Sequence, residues 1–77
     1  MRNYIKELLL EDNENMSVEA ISYYVDEIIQ SLKFAKITQK SIEEISLHEF
    51  KQRNSYVLYV NVIYNGDFEE SFRIYRK

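Results

Sequence analysis

Residues 55–77 read "SYVLYVNVIYNGDFEESFRIYRK": ten residues that are nearly all apolar or aromatic, an Asn-Gly pair, and an alternating tail. Asn-Gly between two β-rich runs predicts a hairpin, because a type I′ turn needs positive φ at both central residues and this pair tolerates it best. With a loop of Asn65 and Gly66 alone, Tyr64 opposes Asp67, Ile63 opposes Phe68, Tyr59 opposes Phe72 and Val57 opposes Ile74. One face then carries Val57, Tyr59, Ile63, Phe68, Phe72 and Ile74, the expected floor for a helix. The other carries Tyr56, Leu58, Val60, Val62 and Tyr64 beside Tyr75, Arg73, Ser71 and Glu69. A strand lying on a single core needs only every second side chain apolar, so the middle strand carries an excess that something must cover.

Upstream, "SIEEISLHEF" (41–50) divides between two readings. Ser41 and Glu44 stand at capping-box spacing, which would start a helix. Against that, Ile45 and Leu47 alternate with Glu44, Ser46 and His48, and Ile42, Ile45, Leu47 and Phe50 scatter too widely for a helical stripe. Three segments of similar length, roughly 43–52, 55–64 and 67–76, separated by "RN" and "NG", give the layout of an antiparallel meander, which is the reading preferred here. An odd loop between the first two strands would put Ile45 and Leu47 on the helix-covered face and Phe50 near Leu58 on the other; an even loop reverses them, and the parity stays open.

The first helix is "NYIKELLL", with Tyr4, Ile5, Leu8 and Leu9 at helical spacing before the polar "EDNEN". Ser17 then stands as an N-cap before "VEAISYYVDEIIQSLKFAK". Val18, Ile21, Val25, Ile28, Leu32 and Ala35 follow steps of three and four, widened by Tyr24 and Ile29. Fewer than three heptads make this a core-facing helix rather than a coiled-coil seam. The expected fold is α+β, two helices on a three-stranded antiparallel meander in one domain over residues 1–77. The alternative is three helices plus a C-terminal hairpin, in winged-helix order.

A chain of 77 residues buries only about 60% of the surface its unfolded form exposes, so its own core is marginal. It has no cysteine, hence no disulfide or thiolate metal site, which leaves packing or self-association as support. The composition, 45% apolar and 30% charged, is that of a globular protein, and the net charge of −3 argues against a broad grip on nucleic-acid phosphates or anionic lipid. Leu8-Leu9-Leu10 is too short for a signal peptide or a membrane span, so the expectation is a cytoplasmic protein. Plentiful Ile, Asn, Lys and Tyr with scarce Gly, Ala and Pro suggest AT-rich coding, as in a low-GC bacterium or a phage.

Chemistry-bearing patterns are sparse. His48 is the only histidine and Glu44 four residues away makes no metal site with it. Adjacent acids such as Glu43-Glu44 and Glu69-Glu70 point to opposite faces of a strand and share no acid/base task. The single glycine excludes a phosphate-cradling loop. No catalytic residue, metal or cofactor is expected. The seven tyrosines raise base stacking on a sheet face, against which "FRIYRK" supplies only three cations. The acids of "ELLLEDNEN" raise nucleic-acid mimicry, for which −3 is modest. A winged-helix DNA reader would carry Glu43, Glu44 and Glu49 on its recognition helix, the wrong charge for phosphate.

What is left is binding. An uncovered apolar sheet face of this size is rare on a monomer, so Phe50, Tyr56, Leu58, Val60, Val62, Tyr64 and Tyr75 are expected to form a partner or dimer surface. The expected role is a small interaction or regulatory protein, an inhibitor of phage type being one form, acting as a homodimer or on another protein. The competing view is that the first helix crosses to cover that face, or that sheet twist shields it.

Overall fold

The computed structural model of the chain describes residues 1–13 and 15–76. Glu14 of the acidic run and Lys77 of the C-terminal basic trio lie outside the described residues. Two helices, α1 (Arg2–Asp12) and α2 (Val18–Phe34), precede a 3₁₀ turn at Gln39–Ser41 and three strands, β1 (Ile42–Gln52), β2 (Ser55–Tyr64) and β3 (Phe68–Arg76). The strands pair antiparallel in the order β1-β2-β3. The fold is therefore α+β, two helices packed on an open meander, and the helical reading of 41–52 with its winged-helix order does not hold. Ser41 closes the 3₁₀ turn instead of opening a helix: its hydroxyl accepts from the Thr38 N–H at 3.2 Å and donates to the Thr38 carbonyl at 2.7 Å.

Ser17 caps α2 as its sequence position implies, its Oγ accepting from the Ala20 N–H at 3.1 Å. The buried stripe of α2 is Ala20, Ile21, Tyr24, Val25, Ile28 and Leu32. Val18 is not part of it and stands 80% exposed. Ala35 is the exposed C-cap. Beyond the last turn the chain reverses through Lys36 at φ +60°. The Ile37 amide reaches back to the Leu32 carbonyl at 2.9 Å and the Lys36 amide to that of Lys33 at 3.0 Å, the paired bonds of a Schellman motif.

Register is where the structure departs from the turn chemistry. Tyr64 pairs with Phe68, so the β2–β3 loop is Asn65-Gly66-Asp67, one residue longer than a type I′ pair. Asn65 and Gly66 do have positive φ, 50° and 94°, but their amides are drawn sideways to the β1 end: the Asn65 N–H to the Ser41 carbonyl at 3.0 Å, the Gly66 N–H to the Glu43 carboxylate. Val60 thus opposes Phe72 and Leu58 opposes Ile74. The β1–β2 loop is the even one, Arg53-Asn54, with Gln52 opposite Ser55 and Leu47 opposite Val60.

The one-residue slip turns β2 over. Leu58, Val60 and Val62, not Val57, Tyr59 and Ile63, lie beneath the helices. They join Ile5 and Leu9 of α1, the α2 stripe, Ile37, Leu47 and Ile74 in a single core. This arrangement follows from Asn61, which shares a face with Tyr59 and Ile63. Under the helices its amide would be buried without partners, at about 1–3 kcal/mol; on the outside it accepts from Ser71 Oγ at 2.5 Å.

Candidate interaction surface

Both helices pack on one face of the sheet, and the other is left without a covering element. Directly opposed residues in an antiparallel sheet share a face, so the bare side can be read in rows across β1, β2 and β3: Phe50–Val57–Tyr75, His48–Tyr59–Arg73, Ser46–Asn61–Ser71 and Glu44–Ile63–Glu69. The first row is aromatic. Val57 is 0% exposed despite facing away from the core, and the residues opposed to it on either side, Phe50 and Tyr75, are 52% and 54% exposed. Phe50 meets Tyr59 edge to face at 5.2 Å between centroids, and His48 lies 6.5 Å from Phe50. The Arg73 guanidinium rests 5.0 Å from the centre of the Tyr59 ring, a cation–π contact. The third row is neutral, and the fourth ends in two exposed carboxylates around the half-buried Ile63. Along the strands the surface therefore runs from aromatic, through cationic and neutral, to anionic.

The residues expected to share a surface divide between the two faces. Phe50 and Tyr75 are on the bare side. Leu58, Val60 and Val62 are buried at 0–1% exposure in the core, so they offer nothing to a partner. Tyr56 and Tyr64 share the helix-covered face, half-buried at its two ends: Tyr56 under the Arg76 guanidinium at 4.2 Å, Tyr64 stacked on Phe68 at 5.8 Å. Sequence reasoning placed Arg73, Ser71 and Glu69 beside Tyr75 on one outer face but missed Tyr59, His48 and Glu44 as members of it. The signal that could have found them is Asn61: a polar residue midway along an apolar strand marks that strand's outward parity.

A second polar group lies on the covered side. The Tyr24 hydroxyl donates to the Glu49 carboxylate, and Arg76 Nε donates both to Tyr24 Oη at 3.1 Å and to Glu49 Oε2 at 2.9 Å. Burial, then the neighbouring Glu49 charge and hydrogen bond, push the Tyr24 phenol above its ordinary range. Beside it, an open depression of about 710 Å³ is lined by Ser17, Glu19, Ala20, Tyr23, Ser55, Tyr75 and Arg76. Three of its polar groups are occupied: Ser17 caps α2, Arg76 is paired, and the Tyr23 hydroxyl donates to the Tyr75 carbonyl at 2.9 Å. Among the described residues no group of three or more His, Asp or Glu could hold a metal ion, and no helix is long and apolar enough to cross a membrane. Comparison of the chain with protein-family models, with curated proteins and with solved structures gives no match.

Proposed function

We propose that the chain is a non-catalytic interaction module that presents its bare sheet face to another protein and regulates through that contact. The observation that carries this reading is the row Phe50–Val57–Tyr75, a buried aliphatic side chain between two aromatic residues that are themselves half exposed, on a sheet face that no element of the chain covers. Aromatic anchors in a small apolar patch with a charged surround match the composition of protein interfaces. A nucleic-acid ligand fits less well. Glu44 and Glu69 lie on the same face, Arg73 already occupies a face of the Tyr59 ring, and Arg2 and Arg76 are engaged with Asp26 and Glu49. The Ile, Asn and Lys bias supports a regulator from a low-GC bacterium or its phage, inhibition of a host protein in the cytoplasm being one form of such a role.

The test places a photoreactive benzoylphenylalanine at Phe50 or Tyr75, with Phe34, 92% exposed at the end of α2, as the control position. Irradiation in cells is expected to give protein adducts from positions 50 and 75 that nuclease treatment leaves unchanged. Adducts that disappear with nuclease, or that form only from position 34, would overturn the reading.

A further inference from the structure

Resting on that reading, we infer that the protein seated on the bare face is a second copy of this chain, stacked face to face about a two-fold axis that runs across the strands through the row Ser46–Asn61–Ser71. A rotation about that axis keeps each strand over its own counterpart and reverses its direction. The row on one side of the axis, His48–Tyr59–Arg73, then meets the partner copy's row on the other side, Glu44–Ile63–Glu69. Arg73 faces a glutamate, Tyr59 an isoleucine and His48 a glutamate. The symmetry repeats all three pairings, because a two-fold interface is self-complementary.

Charge also selects this axis over the other way of stacking two identical faces. An axis along the strands would leave each row opposite itself with β1 over β3, setting Glu44 against Glu69 and His48 against Arg73. That arrangement sets the two glutamates against each other and leaves Arg73 with no acid opposite it, and is disfavoured. Stacked sheets sit about 10 Å apart and cross at roughly 30°. Rows next to the axis lie about 7 Å from it along the strands, so the crossing displaces their edge-strand members by about 4–5 Å, within the reach of Arg and Glu side chains. The central row is small and neutral and allows close approach. The outer Phe50 and Tyr75 rings then extend towards the partner copy's 65–67 turn.

The test is a charge swap read by sedimentation equilibrium over a wide concentration range. The wild-type chain is expected to dimerise. Arg73→Glu alone and Glu69→Arg alone are each expected to weaken association at least about tenfold. An equimolar mixture of the two variants is expected to dimerise again to within a few-fold of wild type, since each contact then unites one acid and one base. Asn61→Lys, on the central strand, sets two ammonium groups opposite each other at the axis and is expected to abolish the dimer while circular dichroism stays that of wild type. It would leave an edge-to-edge pairing of β3 untouched, so a dimer that survives Asn61→Lys overturns the stacked arrangement. A wild-type chain that stays monomeric, or a mixture that fails to reassociate, overturns self-association. Benzoylphenylalanine adducts from position 50 on a different protein would then leave the sheet-face reading standing, whereas no protein adduct at all would remove both.

Discussion

Lys36 sits where a helix C-terminus most often places glycine. At φ +60° its Cβ crowds the backbone, yet the site is held because the Ile37 amide bonds the Leu32 carbonyl and Ile37 packs at 3% exposure beside a fully buried Leu32. Lys36→Gly is therefore expected to stabilise the fold by about 0.5–1 kcal/mol net of the glycine's greater freedom when unfolded. For a domain of this size that is a rise in Tm of roughly 2–8 °C, measurable by calorimetry. At this scale the sequence was legible where one residue acts on its nearest neighbours. Ser17 could be read as a cap because the bond it accepts lies three residues on. Lys36 could not be read as a reversal point, since nothing in a lysine announces positive φ. Asn61 could have been read, and its outward position decides the facing of the whole middle strand.

The strands as elements were nearly all visible in advance. Segments expected at 43–52, 55–64 and 67–76 are found at 42–52, 55–64 and 68–76, because alternation and the "RN" and "NG" breaks are local. Their register was not local: the loop amides bond Ser41 of the 3₁₀ turn and Glu43 of β1, more than twenty residues away, and these bonds lengthen the loop that Asn-Gly alone would close in two. The edge of β1 shows a similar long-range device. Asn13, just past α1, donates through Nδ2 to the Leu47 carbonyl at 3.0 Å and accepts through Oδ1 from the Glu49 amide at 3.1 Å. Its carboxamide thus stands in for the backbone of a neighbouring strand. Asn13→Ala leaves a part-buried amide and carbonyl without these partners and is expected to cost about 1–3 kcal/mol. The urea midpoint should fall accordingly, and the Glu49 amide should lose its protection in hydrogen exchange. An unchanged midpoint would show that water replaces both bonds at no cost.

For the molecule as a whole, Tyr24, Glu49 and Arg76 join α2 to both outer strands, with Arg76 also lying over Tyr56 of the middle one. Because the folded state holds the Tyr24 proton more tightly than the unfolded chain does, the stability tied to that proton is complete below the ordinary phenol value of about 10 and declines as the pH rises above it. Urea midpoints between about pH 9 and about pH 11 are expected to fall more steeply for wild type than for Tyr24→Phe, which has no proton to lose. Equal slopes would mean that Tyr24 ionises as readily folded as unfolded. The Asn13 clip has a consequence at this scale too. A sheet grows into a fibre only if each copy offers two free edges, one to receive a strand and one to donate it. Here both edges are engaged by side chains of their own molecule, β1 by the Asn13 carboxamide and β3 by the Tyr23 hydroxyl at the Tyr75 carbonyl. An incoming strand would have to displace one of these clips whichever edge it met, so the sheet resists growth in both directions.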